Sequence, residues 1–424
     1  MSTKERQELE ETVYLVGGAV RDALLGIPPR ERDWVVVGST PDALLEKSYR
    51  QVGASFPVFL HPETREEYAL ARTERKQGHG YHGFSVDFHP GVTLEEDLAR
   101  RDLTINAMAR DCDGRLIDPF GGKADLQARL LRHVSPAFSE DPLRVLRVAR
   151  FAARYAPLGF SVHDSTMKLM RRMTAAGELE HLVPERVWSE IEAAMSSAKP
   201  GIFIQVLRDS GALAVLLPEV DGLFGVPQPA KYHPEIDTGI HVMMAMDFAA
   251  VRQWPAPVVF ALLMHDLGKG RTEQSAWPSH VGHEARGVPL VERVCERFRA
   301  PGAWRDLALR VCALHLRCHQ LSVMRPTRIL ALIEEADFLR RPDQVEPFLQ
   351  ACEADYRGRK DFGERPYPQA QELETALQAA RSIKVGQLDT EGLDGREIGS
   401  KLREARVEAI ATRLATAGVA DPAS

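Results

Sequence analysis

At 424 residues, with 44% hydrophobic and 27% charged side chains and a formal net charge of −6, the chain reads as a soluble globular protein of two to four domains. That balance excludes a disordered chain and argues against binding nucleic acid through bulk positive charge. The five cysteines (Cys112, Cys295, Cys312, Cys318, Cys352) are odd in number and form no CxxC pair, the pattern of reduced intracellular thiols. Met1 to Thr12 is polar and charged, unlike a signal peptide, and the apolar stretch Val258 to Met264 is far too short to span a bilayer. A cytoplasmic protein with no membrane association is expected.

In chain order, Thr12 to Val16 reads as a buried strand, Gly17-Gly18 as a turn, and Val20 to Leu25 as a helix ended by Gly26 and two prolines. Residues 33–37 and Tyr68 to Arg72 read as further strands, and helical spacing returns after Asp97 through Ala107. This is an α/β head. From Asp141 to about Leu217 the pattern is helical almost throughout; Pro227, Pro229 and Pro234 then mark a linker. A helical, histidine-bearing block runs to about residue 340, and Gln344 to Ile410 is again helical and charged. No internal repeat or low-complexity run is found.

The glycines at 17 and 18 let backbone N–H groups approach a ligand without a Cβ in the way, and Arg21 on the following helix can hold a phosphate by two hydrogen bonds. Glu31 and Asp33 stand two residues apart at the start of the second strand. In a strand, such residues emerge from one face about 7 Å apart at Cα. Paired carboxylates suit Mg2+, which takes oxygen ligands together with water and substrate phosphates. Each motif alone is weak. The loop and the carboxylate pair in sequence favour nucleotidyl transfer.

Glu140 to Phe151 opens another helix, with Asp141 as a natural N-cap and Pro142 at the first position. Asp141, Arg144, Arg147 and Arg150 recur every three residues as a polar stripe. Asp141 only accepts hydrogen bonds and Arg144 only donates them. Cytosine and adenine both show an amino donor beside a ring-nitrogen acceptor, and uracil and guanine reverse that order. An Asp141–Arg144 pair therefore accepts CTP and ATP and rejects UTP and GTP, with each buried mismatch worth about 1–3 kcal/mol. Arg147 and Arg150 then face triphosphate or RNA backbone. Further on, His241, His265-Asp266, His280, His283, His315 and His319 fall in one helical region, a set able to hold a transition metal with Asp266 bridging or hydrogen-bonding.

In these residues the chain resembles the bacterial-type (class II) CCA-adding enzymes, tRNA nucleotidyltransferases with a polymerase-beta-type head, and most closely the multifunctional form with a C-terminal HD domain. The resemblance rests on Gly17 to Asp22, Glu31 to Asp33, Arg100 to Ala107, Glu140 to Phe151 and Pro184 to Trp188, in order, and covers nearly all of the chain after residue 11. It implies an α/β nucleotidyltransferase head in residues 12–135, a helical neck and body in 136–235, an HD phosphohydrolase domain in 236–340 and a helical tail in 341–424. It further implies template-free addition of C, C and A to the tRNA 3′ end from CTP and ATP with Mg2+. Carried over by position, Glu31 and Asp33 are catalytic Mg2+ ligands; Gly18, Arg21, Arg101, Arg147 and Arg150 contact the nucleotide; Asp141 and Arg144 read the base. Glu31 departs from the family's Asp-x-Asp pattern, moving that carboxylate roughly 1.5 Å farther out.

The run His265-Asp266-Leu267-Gly268-Lys269 resembles the HD phosphohydrolase superfamily. That implies phosphatase, 2′-nucleotidase and 2′,3′-cyclic phosphodiesterase activities with Ni2+ or another transition metal. His241, His265 and Asp266 are the expected ligands, with His283 or His315 next; the superfamily's final Asp is not legible. Two alternatives stand beside this reading: a bacterial poly(A) polymerase, and an HD phosphohydrolase whose transferase head is weakened by Glu31. A monomer or a homodimer is compatible with the sequence.

Overall fold

The computed structural model describes residues 13–29, 31–52, 58–76, 84–87 and 89–416; Thr12, at the edge of the first expected strand, lies outside them. The chain divides into two compact units, Met1–Glu190 with Gln205–Leu216 and Ile191–Ile204 with Leu217–Ser424. No helix among the described residues is long and apolar enough to cross a membrane.

The first unit is built on a seven-stranded sheet. Its strands are β1 (Val13–Val16), β2 (Asp33–Val36), β3 (Arg50–Val52), β4 (Val58–Leu60), β5 (Glu67–Leu70), β8 (Ala109–Arg110) and β9 (Leu116–Ile117), in the order β3-β4-β5-β2-β1-β8-β9. The intervening β6 (Thr73–Lys76) and β7 (Phe84–Asp87) form a separate antiparallel pair. β1 runs antiparallel to β2 with Val16 opposite Asp33, and β2 runs parallel to β5 with Asp33 opposite Glu67. Alternation along the strands fills two cores. Val13, Val36, Leu44, Phe59 and Leu70 pack on one face, and Val16, Val35, Ala71, Leu98 and Ala107 on the other. Asp33 therefore emerges on the Val35 face, beside the end of β1.

Helix α1 (Gly18–Leu24) follows β1 directly and starts two residues earlier than the sequence pattern indicates, because Gly17 makes the turn alone with φ +67. Helix α2 (Leu94–Ala99) is opened by a capping box between Thr93 and Glu96. Helix α3 (Arg144–Tyr155) buries Val145, Leu146, Val148, Ala149 and Ala152 and leaves its arginines on the remaining face. Its start differs from expectation. Pro142 and Leu143 form a turn before the first helical residue, and Asp141 Oδ1 accepts from Leu143 N at 3.1 Å, capping that turn instead of the helix. Helix α4 (Pro184–Met195) supplies Arg186 and Glu190 to this unit.

The second unit is helical: α5 (Thr238–Val251), α6 (Ala256–Met264), α7 (His283–Phe298), α8 (Gly302–His319), α9 (Val345–Arg357), α10 (Gln369–Ser382) and α11 (Gly395–Thr416), with shorter helices between. α6 is apolar on all sides, so it sits at the centre, buried from Val258 through Met264 against α5, α8 and α9. It delivers His265 and Asp266 at its C-terminal end into the unit's interior. The turn Leu267–Arg271 then passes so close to α7 that a Cβ on Gly268 would stand 1.9 Å from His283 O.

Candidate nucleotide-binding cavity and metal centre

The end of β1, the start of β2 and the polar face of α3 enclose a cavity of about 580 Å³. Gly18, Arg21, Asp33, Arg101, Asp141, Arg144, Arg147 and Arg150 all line it, and Glu31 stands exposed outside that lining. Nine arginines and four carboxylates face the space, so a basic cavity is built into an acidic protein. This is the chemistry that holds a polyphosphate.

The arginines are braced from behind by carboxylates. Arg101 Nη2 donates to Asp97 Oδ2 at 3.1 Å, while Arg147 meets Asp102 Oδ2 through Nε at 2.8 Å and Nη2 at 2.7 Å. Arg150 Nε is held by Glu190, and Arg154 Nη2 meets Asp22 Oδ2 at 3.2 Å. Burial alone would raise the Asp102 carboxyl, but Arg147, Asn106 and the Leu103 amide hold it well below the usual carboxylate range. Fixed in this way, the guanidinium groups need little rearrangement to meet an anion.

Arg21 is buried more deeply than the phosphate-clamp reading requires. Its Nε donates to Asp22 Oδ1 at 2.8 Å and its Nη1 to Asn106 Oδ1, and its guanidinium lies 5.3 and 5.1 Å from the Phe151 and Tyr155 rings. Arg144 Nη1 and Nη2 donate to the carbonyls of Ala137 and Arg100 at 2.7 and 2.6 Å, and Asp141 Oδ2 accepts from Arg186 at 2.8 Å. Both base-reading candidates are therefore at the cavity, each with one partner more than 40 residues away in sequence, Arg100 for Arg144 and Arg186 for Asp141.

Asp33 is the first residue of β2, and Glu31 precedes the strand, so the two are not alternate residues of one paired strand. They are nonetheless coupled. Loss of hydration raises the Asp33 carboxyl, Arg101 opposes this, and the Glu31 carboxylate adds to it. An Asp33 carboxyl whose ionisation is opposed by burial and by a neighbouring carboxylate, beside a polyphosphate cavity, fits a divalent cation, which relieves both.

In the second unit, His241 from α5, His265 and Asp266 from the end of α6, His283 from α7 and His315 from α8 come together, all buried. All five residues that the sequence singles out as ligands are brought together here. His265, His283 and His315 each turn Nδ1 to a backbone carbonyl, of Leu262, His280 and Val311, at 2.7, 3.1 and 3.0 Å. That fixes the tautomer and leaves each Nε2 with a lone pair. These Nε2 atoms face Asp266 at 3.1, 3.2 and 3.7 Å. Lone pairs pointing at a carboxylate need a positive charge between them, and His265 Nε2, His283 Nε2 and Asp266 Oδ1 are buried without a hydrogen-bond partner. The residues present therefore fit a metal ion. Burial alone would lower the His265 imidazole, but Asp266 and Asp355 push it up to about 10, which marks the same demand for positive charge.

Sequence reasoning missed Asp355, which reaches the cluster from α9. Its Oδ1 lies 2.9 Å from His241 Nε2 and 3.7 Å from His265 Nε2, and its Oδ2 lies 2.6 Å from His319 Nε2. Nothing local distinguishes it in Glu353-Ala354-Asp355-Tyr356-Arg357, since it stands 89 residues beyond Asp266 in a charged helix. Asp97, Asp102 and Glu190 were likewise given no role. The run Arg100-Arg101-Asp102 offered the one usable signal, an acidic residue beside two arginines.

A sheet-borne carboxylate beside a glycine turn and an arginine-lined cavity defines a nucleotidyltransferase head. In agreement, residues 13–132 match the family described as "Poly A polymerase head domain", and residues 159–223 match "Probable RNA and SrmB- binding site of polymerase A". Over 397 residues, 94% of this chain and 97% of the relative, the sequence is 61% identical to the "Multifunctional CCA protein" of Thioalkalivibrio sulfidiphilus (strain HL-EbGR7). The fold is shared with a CCA-adding enzyme in apo form II at a TM-score of 0.65 and 19% identity, covering 98% of this chain and 93% of that one. It is also shared with the Bacillus stearothermophilus CCA-adding enzyme in complex with CTP at 0.60 and 23%, covering 99% and 94%. The chain belongs to the multifunctional CCA protein family of CCA-adding tRNA nucleotidyltransferases.

Proposed function

We propose that the chain adds C, C and A to the 3′ end of tRNA from CTP and ATP without a template, and that its histidine centre is an HD-type phosphohydrolase. The observation that carries the first part is the single cavity that gathers Asp33, the loop glycine and the arginines of α3. Arg101, Arg147 and Arg150 bind the triphosphate and stabilise charge on the departing pyrophosphate. Asp141 and Arg144 present an acceptor and a donor to the base, a pattern that cytosine and adenine share. Asp33 with Glu31 would hold Mg2+, which supplies activation of the 3′-hydroxyl and neutralisation of the leaving group.

In the second centre His241, His265, Asp266 and Asp355, with His283 and His315, would hold Ni2+ or another transition metal, which supplies Lewis-acid activation of water and of a phosphoester. The buried Lys269 keeps its ammonium on Asp266 Oδ2 and Gln228 Oε1, both at 2.6 Å, and so fixes the carboxylate's orientation. Phosphatase, 2′-nucleotidase and 2′,3′-cyclic phosphodiesterase activities follow as its reactions.

The deciding experiment is extension of a tRNA transcript lacking its CCA end, resolved to single nucleotides, with CTP, ATP and Mg2+. Three added nucleotides from the wild type and from Glu31→Asp are expected. Because both matched families are described by polymerase A, a run of A without C is the result that would favour the polymerase reading. Extension by Glu31→Asp alone would make the head a weakened transferase.

A further inference from the structure

Beside the metal cluster lies a group of side chains that the chemistry above does not use. His233 and Glu235 sit on the turn that leads into α5, and their side chains are buried next to His241. Glu235 Oε1 lies 2.9 Å from His241 Nδ1 and 3.1 Å from His233 Nδ1, and its Oε2 accepts from Lys360 N at 3.2 Å. Both oxygens of the carboxylate thus have partners. His241 differs from the other three histidines in one respect. Its Nδ1 faces this carboxylate, whereas theirs face backbone carbonyls.

The turn itself is strained. Ile236, a β-branched residue, is held at φ +64, a left-handed conformation that such side chains rarely adopt. It is over-determined by neighbours on both sides: Ile236 N donates to His233 O at 2.9 Å, Gln228 N to Ile236 O at 2.8 Å, and Asp237 caps α5 by accepting from Ile240 N at 2.9 Å. The strained turn is what points Glu235 inward.

Resting on the metal-dependent reading of this centre, we propose that Glu235 is a positioning residue for it. Glu235 Oε1 stands 2.9 Å from His241 Nδ1, where it can take up Nδ1–H when a metal claims Nε2, the nitrogen that here hydrogen-bonds Asp355 Oδ1 at 2.9 Å. Without that carboxylate, moving the ring proton from Nε2 to Nδ1 leaves a buried N–H with no acceptor. Partners of this kind change metal affinity by 10–100-fold.

The test is calorimetric titration of the full-length apo chain with Ni2+ for the wild type, Glu235→Ala, Glu235→Asp, Glu235→Gln and Asp266→Asn. Histidine-selective 15N spectra of the apo and the Zn2+-loaded protein report the His241 tautomer alongside. Expected are binding at least tenfold weaker for the Ala and Asp variants, with most of the loss recovered by Gln, whose amide oxygen can still accept from Nδ1–H, and a His241 that fails to reach the Nδ1–H form on Zn2+ loading in the Ala variant. Should Glu235→Ala not fold, the Asp and Gln variants decide alone, in that same order. Equal Ni2+ affinity in the wild type and the Glu235 variants, with binding lost in Asp266→Asn, would overturn the role of Glu235 and leave the metal centre standing. Equal binding by the wild type and Asp266→Asn would overturn the metal reading itself, and this proposal with it.

Discussion

Asp102→Asn tests whether the arginine wall of the cavity is held up by buried charge. Asp102 is buried and pairs with Arg147 Nη2 at 2.7 Å, and it accepts three hydrogen bonds, from Arg147 Nε at 2.8 Å, Leu103 N at 2.8 Å and Asn106 Nδ2 at 2.9 Å. An amide can keep the last two through its oxygen, but its NH2 then faces two guanidinium donors. Breaking a buried pair by removing one partner costs about 3–5 kcal/mol. The Arg147 side chain is 36% exposed and can recover some hydration, so the expected loss is about 2–4 kcal/mol. For a unit of this size that is a fall in melting temperature of roughly 4–16 °C, read by calorimetry on the full chain.

The loss has a pH signature. The folded Asp102 carboxyl titrates below its unfolded value, so its contribution is fully present above the unfolded pKa of about 4 and fades as pH falls below it. The gap between wild type and variant is therefore constant from pH 8 to 5 and narrows in acid. A variant within 1 kcal/mol of the wild type at pH 7, or a gap unchanged down to pH 2, would refute the account of Asp102 as the brace of Arg147.

Gly268→Ala should displace His283, since the new Cβ would stand 1.9 Å from its carbonyl oxygen; the expected result is about 1–3 kcal/mol of destabilisation and weakened metal binding, with CCA addition unchanged. Asp355→Ala should abolish the 2′,3′-cyclic phosphate hydrolysis proposed for this centre while leaving tRNA extension intact, measured on the same preparation. Ni2+ at 100 times its dissociation constant should stabilise the second unit by about 2.7 kcal/mol, and Asp266→Asn should erase that increment in thermal unfolding.

Much of the head was readable because its determinants are local. Gly17-Gly18 must turn where only glycine takes φ +67 without strain, the β-branched runs around residues 13–16 and 33–36 mark strands, and the arginines of α3 recur at a helical interval. The histidine set was readable for a similar reason, since His265-Asp266 closes an apolar helix that has nowhere to sit but the interior. Helix starts were less secure. Pro142 favours a first helical position, yet the chain makes a turn there and lets Asp141 cap it.

What the sequence determined by itself was the kind of chemistry, because residue types at short spacing carry it: a glycine turn, carboxylates, a basic stripe and a buried His-Asp pair. What only the tertiary structure decided was which groups complete and hold those sites. Asp102 reaches Arg147 across 45 residues, Asp355 reaches His241 across 114, and Arg144 ends on the carbonyl of Arg100, 44 residues back. Such pairings leave no periodicity in the chain. They are fixed by the packing of sheet on helix and helix on helix, where a buried charge must find its counterpart wherever the fold happens to bring one.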